Sequence, residues 1–339
     1  MKPKSMVIIG VGIIILINII GITFFYVISS NILKEKSIQH LQTAAESRAD
    51  HIETFLDGKK GRAIDFSSDG FIINSLTALK EKGANSIQIA VELRKDFLVN
   101  KLPTDKDLYE IDILDASGIV VGTTQIEEEL GKDESNDVLF LKGKRMPYVK
   151  DAFYDEEFGK DAIAISAPII NEGEFLGIVI IKMGLETLAE ITTDRTGLGE
   201  TGEIYLINKE SLLVTPSRFL RGKNQGVLTQ VVDTENARKC FEGLELFGVF
   251  DDEELKEHSK TSGGTIFRDY RGEAVIGVHS HVLGQTWCLL AQIDKSEVLG
   301  QAKITLLVIS VVIILITSIL VSLIAVFIGK SFERGKKRK

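Results

Sequence analysis

Two long uncharged segments, one near each end, constrain this chain more than any other feature. Residues 5–33 form 29 consecutive positions without a charge, and residues 304–329 form 26 more. Each exceeds the roughly 20 apolar residues that cross a bilayer core as a helix. Core helices of soluble domains are amphipathic and do not run this far without a charge. The first run is also too long for the apolar part of a secretory signal, and no small-residue cleavage pattern follows it. The sequence predicts transmembrane helices at 6–29 and 304–329, with tails at 1–5 and 330–339.

Charge sets the orientation. Lys2 and Lys4 precede the first span, and Lys330, Arg334, Lys336, Lys337, Arg338 and Lys339 follow the second against the single acid Glu333. Basic flanks stay in the cytoplasm. Both termini are expected inside, and the middle extracellular or periplasmic, in a two-pass protein of the plasma membrane. The net charge is −8; setting aside +2 in the first tail and +5 in the last leaves −15 on the middle. So acidic a domain argues against nucleic acid as a partner.

From residue 30 to 66 the pattern is helical. Ile38, Leu41, Ala45, Ile52, Phe55 and Leu56 recur at three- and four-residue steps. This narrow seam begins where the first span ends, which suggests a stalk facing a second copy in a homodimer; the alternative is packing on its own domain. A second helix is expected over 87–97, before Pro103.

The period then changes. Residues 109–124 read as strand, tight turn, strand, with Asp115, Ala116, Ser117 and Gly118 at the turn. Strands are expected at 162–170 and 175–183, joined by a turn at 171–174. The pattern repeats: residues 203–215 answer 109–124, and the hairpin of 274–282 and 287–293 answers 162–183. A short helix over 296–299 is expected to lead into the second span, as 185–191 closes the first module. Two related α+β modules stand in tandem, each a small antiparallel sheet with flanking helices. Boundaries are expected at 67–194 for the membrane-distal module and 195–300 for the membrane-proximal one.

Several motifs carry less than their letters suggest. Residues 197–202 spell Gly-Leu-Gly-Glu-Thr-Gly, the dinucleotide fingerprint, but a strand follows where a helix should open, so a connector between modules is expected. His279 and His281 share one face of a strand pattern, yet no thiolate or carboxylate partner stands at metal-ligand spacing. A solvated or core-edge pair is the better reading. The acidic runs 127–129 and 251–254 lack calcium-loop spacing. Hydrolase, zinc-protease, P-loop and kinase signatures are absent from the sequence. No catalytic residue, metal site or cofactor is expected, and the chain is not read as an enzyme. Cys240 and Cys288 can pair outside the membrane. Because Cys288 follows Trp287 in an apolar strand pattern, two buried thiols are favoured over a disulfide.

The chain resembles the double-Cache family of extracellular sensor domains over nearly all the residues between the spans. The resemblance rests on the order of the membrane-emergent helix, Leu114-Asp115-Ala116-Ser117-Gly118, Ser166-Ala167-Pro168 before Leu176-Gly177-Ile178-Val179, and the run 197–217. The stretch from Arg271-Gly272 through Trp287 to Ile293-Asp294 also fits. It implies two PAS-like modules, with a small molecule bound in the membrane-distal one. Amino-acid receptors of this family hold the ligand carboxylate with an Arg and two aromatics, and the amine with an aromatic-x-Asp pair and a further Asp. Those positions fall on Asp137, Leu139 and Phe140, on Phe153 and Asp155, and on Lys182. An Asp in place of the Arg would repel a carboxylate, so an α-amino acid in the usual pose is disfavoured. Either Lys182 meets an anionic group while Asp137 and Asp155 meet a cationic one, or an internal Asp137–Lys182 salt bridge fills the site or these are mere surface charges. The second is weighted higher.

The tail at 330–339 is too short to fold or do chemistry alone, and it is positioned to touch anionic lipid. A membrane-anchored small-molecule receptor without its own output domain is therefore expected, working through a membrane or cytoplasmic partner such as a kinase. The alternatives are the sensor part of a longer histidine kinase or chemoreceptor, and a solute-binding surface protein that does not signal.

Overall fold

The computed structural model describes residues 3–81, 85–125, 129–222, 224–247, 264–282 and 287–336. Helix α1 runs unbroken over Pro3–Ser67, 65 residues, about 97 Å at the helical rise of 1.5 Å per residue. Its apolar seam faces inward. Leu41, Ala45, Ala49, Ile52, Leu56 and Ala63 are buried, and Ile38 and Phe55 pack against the same core. The seam is covered by the chain's own sheets rather than by a second copy. It is narrow because it meets the flat face of a sheet, and the surface that suggested a homodimer is thus occupied.

Two short helices follow, α2 (Gly70–Leu79) and α3 (Ser86–Asp96). Asp69 caps α2 by accepting from Phe71 N at 2.8 Å and Ile72 N at 3.3 Å, satisfying amides a helix start leaves free. Asn85 caps α3 through Gln88 N at 3.1 Å. The expected helix at 87–97 is α3, which continues through a π turn at Phe97–Lys101 and a 3-10 turn at Leu102–Thr104 that carries Pro103.

The first sheet contains β1 (Leu108–Asp115), β2 (Val120–Thr123), β3 (Tyr148–Asp155), β4 (Lys160–Asn171) and β5 (Glu174–Gly184), ordered β2-β1-β5-β4-β3 and antiparallel throughout. The turn after β1 is as its residues predict: Asp115 Oδ1 accepts from Ser117 N at 2.8 Å and Ile119 N at 3.1 Å. Helix α4 (Val138–Gly143) lies on one face, and α5 (Glu186–Thr193) follows β5.

The second sheet contains β6 (Glu203–Ile207), β7 (Thr265–Arg268), β8 (Ala274–Val282) and β9 (Trp287–Asp294), ordered β6-β9-β8-β7. Helix α6 (Glu235–Phe247) covers its outer face. The strand expected at 212–214 is reduced to isolated bridges, Ile207 to Leu213 and Leu212 to Val231. The turn between β8 and β9 lies outside the described residues. Helix α7 (Lys295–Lys336) follows β9 directly, so the short helix expected before the second span is its first turn.

Alternate residues of both sheets point at α1 and form one core with it. Ile111, Ile113, Ile163, Ile165, Val179 and Ile181 come from the first sheet; Leu206, Ile276, Val278 and Leu289 come from the second. Each such buried side chain stabilises by about 1.5–3 kcal/mol. The outer faces are left for chemistry. Two helices, α1 and α7, are long and apolar enough to cross a membrane.

Candidate functional site

The outer face of the first sheet carries one charged row. Lys150 on β3, Ala164 on β4, Lys182 on β5 and Glu110 on β1 stand opposite one another across four strands. Directly opposed residues share a face. Around the row lies a small apolar cluster of Leu114, Leu139, Phe140, Ala164, Ile178 and Ile180, with Tyr148, Phe153 and Phe175 packed against it. Helix α4 is seated on this face by close contact. A Cβ on Gly143 would lie 2.2 Å from Ser166 Oγ, and that hydroxyl donates to Leu139 O at 2.8 Å.

The five residues singled out from sequence all come to this face, in two groups. Asp137 caps α4, accepting from Leu139 N at 2.7 Å, and its other oxygen takes Lys150 Nζ at 3.4 Å. Phe140 is buried beside Phe175, with ring centroids 6.5 Å apart. Phe153 carries the Lys150 ammonium 4.8 Å from its ring centre. Asp155 and Lys182 belong to the second group. Asp155 Oδ2 accepts from Tyr109 OH at 2.7 Å, and Oδ1 accepts from Glu157 N at 3.1 Å and Phe158 N at 3.2 Å. Lys182 Nζ donates to Glu110 Oε1 at 2.8 Å and lies 3.9 Å from Asp112.

The expected Asp137–Lys182 salt bridge is therefore not formed. Each residue has a nearer partner: Asp137 pairs with Lys150, and Lys182 is held from the adjacent strand. Burial opposes the Lys182 ammonium, but the Asp112 and Glu110 carboxyls outweigh it and push its pKa up. Burial, reinforced by Glu110, drives the Asp112 carboxyl well above the usual carboxylate range. Burial and the Asp155 bond likewise raise the Tyr109 phenol.

Sequence reasoning missed Glu110, Asp112, Tyr109 and Lys150. A faint signal existed: Glu110 and Asp112 are two acids at alternate positions of an otherwise apolar strand, so both must share its outer face.

The outer face of the second sheet carries a polar network centred on Glu203 whose members satisfy one another. Glu203 accepts from Tyr270 OH at 2.6 Å, Ser217 Oγ at 3.0 Å and Gln292 Nε2 at 3.1 Å. Gln292 also donates to Asp269 at 3.1 Å, and Arg271 bridges Asp269 and Asp294 at 2.6 Å each. Burial raises the Glu203 carboxyl, opposed by its hydroxyl donors.

Beside this network Cys240 of α6 and Cys288 of β9 form a disulfide, S–S 2.08 Å. This corrects the expectation of two free buried thiols. Cys288 does lie in an apolar strand, but its side chain faces α6, where Cys240 is equally buried. His279 is buried against Asn236, Nδ1 to Oδ1 at 2.9 Å, and is not solvated. Burial lowers its pKa to about 4. His281 Nε2 lies 2.8 Å from Cys240 O. Among the described residues the one compact set of metal-ligand types is Cys240, His281 and Cys288. The disulfide removes its two thiolates.

The glycine-rich stretch 197–202 is a connector, and its amides do hold an anion, one supplied by the chain. Glu297 of α7 accepts from Glu200 N at 2.9 Å and Thr201 N at 2.7 Å. A Cβ on Gly199 would lie 2.4 Å from Glu297 Oε1. Of the acidic runs, 127–128 and 251–254 lie outside the described residues; Glu129 pairs with Lys132 at 3.0 Å.

A cleft of about 480 Å³ opens between the β3–β4 turn, α5 and the segment that follows β6, lined among others by Tyr154, Lys160, Glu186, Pro216 and Gln225. It borders the site through Lys160, whose ammonium lies 3.6 Å from the centre of the Tyr109 ring.

Comparison with known proteins places this architecture. The Cache domain model (dCache_1) matches residues 29–302. No curated protein matches the chain by sequence. Among solved structures, the ligand-binding domain of the Pseudomonas fluorescens chemoreceptor CtaA in complex with L-isoleucine superposes with a TM-score of 0.52 at 15% identity, covering 80% of this chain and 98% of that one. The sensor domain of the V. cholerae histidine kinase DctB gives 0.53 at 11% identity, covering 76% and 96%. The sensory domain of the Campylobacter jejuni chemoreceptor Tlp3 with isoleucine bound gives 0.52 at 11%, covering 80% and 98%. At these identities the likeness is one of fold.

Proposed function

This chain belongs to the Cache domain family, whose members are ligand-binding sensor domains, and from that premise we propose that it is a membrane-anchored receptor for a small extracellular molecule. The observation that carries the reading is the contrast between the two outer faces. On the second sheet Glu203, Ser217, Tyr270, Gln292 and Asp269 satisfy one another. On the first, charged side chains stand in a half-buried row beside aromatic walls, and two buried carboxylate oxygens, Glu110 Oε2 and Asp112 Oδ1, have no hydrogen-bond partner. Native proteins seldom leave such groups unpaired without a use. The ligand site is the membrane-distal module, 67–194, with Phe140, Phe153, Asp155 and Lys182 at it and Asp137 positioning Lys150. The module 195–300 relays.

Helices α1 and α7 cross the membrane at 6–29 and 304–329, with the basic tails inside. A ligand acts by favouring one arrangement of the spans over another, and β9 runs without a break into α7. The signal passes to a membrane or cytoplasmic partner. The amino acids named for CtaA and Tlp3 are poor models for the ligand, because Asp137 is a helix cap where their family places an arginine.

The test is a thermal-shift screen of the full chain in detergent against small metabolites. A binder of the folded state raises the melting temperature with its concentration. Lys182→Ala that leaves the affinity of such a binder unchanged would sink the placement of the site. No shift with organic acids, amines, amino acids or nucleobases would sink the receptor reading.

A further inference from the structure

The second sheet brings two sulfurs and an imidazole to one point. His281 on β8 stands directly opposite Cys288 on β9, and directly opposed residues share a face. Helix α6 lies over that face and supplies Cys240. One ring nitrogen of His281 and both sulfurs lie within 4.8 Å of one another. Two strands and a helix thus form a tripod of metal-ligand types. The Cys240 carbonyl holds the His281 ring, Nε2 to O at 2.8 Å, the kind of support that fixes a ligating imidazole. His279, the next residue on this face, is tied to Asn236 instead, with its ring centre 6.0 Å from that of His281. Both cysteines are fully buried and His281 is half-buried, so the cluster opens toward solvent on the histidine's side. The sulfurs are joined as a disulfide, a bond that needs no imidazole beside it.

We propose that Cys240, Cys288 and His281 are a redox-gated site for a zinc-class divalent cation, with the disulfide as its closed form and the dithiol as the form that binds metal. A dithiol reductant opens it by thiol–disulfide exchange. The bond between Cys240 and Cys288 breaks, two electrons and two protons pass from the reductant to the pair, and the reductant leaves as a disulfide. The cation then displaces both thiol protons. It takes two thiolates and the imidazole, with water in the fourth position on the open side. A disulfide oxidant reverses the exchange: it accepts two electrons, the bond between Cys240 and Cys288 re-forms, and the cation departs. Thiolate and imidazole select a zinc-class ion over calcium or magnesium, which take oxygen ligands. Cys288 lies on the strand that leads into α7, so exchanging a covalent bond for a metal bridge acts on the strand that leaves the module. The site is separate from the ligand face of the first sheet and does not rest on the receptor reading.

The experiment uses the full chain in nanodiscs. Dithiothreitol reduces it, the reductant is removed without air, and thiols are counted before cobalt(II) and then zinc are titrated. Two thiols are expected, and one cobalt ion per chain with a sulfur-to-cobalt charge-transfer band, which zinc then abolishes by displacement. The oxidised chain should show no such band. His281→Gln should weaken zinc by more than the roughly 10–100-fold that an outer-shell change costs, whereas His279→Gln should leave the band intact. A disulfide oxidant should release the zinc to a chromogenic chelator. Wild type alone tests the redox gate in both of its states, so no variant has to fold for the inference to fail. It is overturned if dithiothreitol does not open the disulfide of the folded chain, if cobalt binds without the thiolate band, if the oxidised chain binds equally well, or if His281→Gln binds as wild type does. A reduced chain that unfolds, and that zinc does not refold, overturns it too.

Discussion

The indole nitrogen of Trp287 donates to the Asp151 carboxylate at 2.6 Å, and this one bond crosses from the second sheet to the first. Asp151 sits in the bulge of β3 between Lys150 and Phe153, where the strand changes register. Trp287 opens β9 and is fully buried. The strand that carries Lys150, Phe153 and Asp155 is thereby pinned to the strand that becomes α7. Burial raises the Asp151 carboxyl, and the indole bond opposes that rise. Trp287→Phe keeps an aromatic ring but removes the donor and part of the buried volume, so it should destabilise by about 1–3 kcal/mol or more at neutral pH. The raised acid is penalised only when ionised, so the loss should shrink as pH falls toward the unfolded-state value of 3.8. Urea melts of wild type and variant at two pH values test it; a difference independent of pH would mean that the bond is not what was lost.

The disulfide gives a second expectation. Cys240 and Cys288 are 48 residues apart, and a closed loop of that length restricts the unfolded chain by about 4 kcal/mol in the chain-entropy model. Replacing both with Ser should cost about 2–4 kcal/mol and act on the second module first. Hydrogen exchange resolved by peptide would show this as faster exchange in α6 and β9 with β4 and β5 unchanged. Equal acceleration in both sheets would count against it.

His279 makes stability fall in acid. Its pKa is about 4 in the folded protein against 6.5 for the free side chain, so between these values the unfolded chain binds the extra proton. Stability from this group is full above 6.5 and lost as pH falls through about 4, an effect of about 3 kcal/mol at one kcal-scale step per unit. His279→Gln should flatten that part of the stability–pH curve. The sign distinguishes it from Asp112, whose raised pKa makes its contribution full below 3.8 and lost as pH rises through the folded value. A variant curve as steep as wild type between pH 4 and 6.5 would assign the acid sensitivity elsewhere.

What the sequence made legible was whatever repeats over a short window. The seam of α1, the Asp115 turn and the paired hairpins are periodic or local, and each lies where its residues predict. Strand β3 was missed because the bulge at Asp151 and Ala152 breaks its alternation. Helix α4 was missed because six residues show too little period. The seam itself was legible but its partner was not, since a sheet and a second helix ask the same of a narrow stripe. The site failed in the same way. Lys182 and Asp155 were recognised as lying together, but the residue bonded to Lys182 is 72 positions away on another strand. Only strand register brings Glu110 to it, and register is a property of the assembled sheet.

The connector between the modules offers the last prediction. Glu297 stands in the first turn of α7 and holds two backbone amides of the glycine-rich stretch, and the Thr201 hydroxyl donates to it at 2.5 Å. Thr201 Oγ1 in turn accepts from Asp294 N at 3.1 Å, at the junction of β9 and α7. The connector is thus bonded to the helix through which a signal would leave, and Arg195 clamps its other side through Gly199 O at 3.1 Å. Glu297→Gln keeps the shape and one acceptor but loses the charge that strengthens all three bonds. Amides 200 and 201 should then exchange several-fold faster, while β4 and β5 keep wild-type protection. In a ligand titration followed by a spin-label pair on α1 and α7, the variant should bind as tightly as wild type and move the label distance less. If binding and movement change together, the connector shapes the ligand site rather than relaying from it.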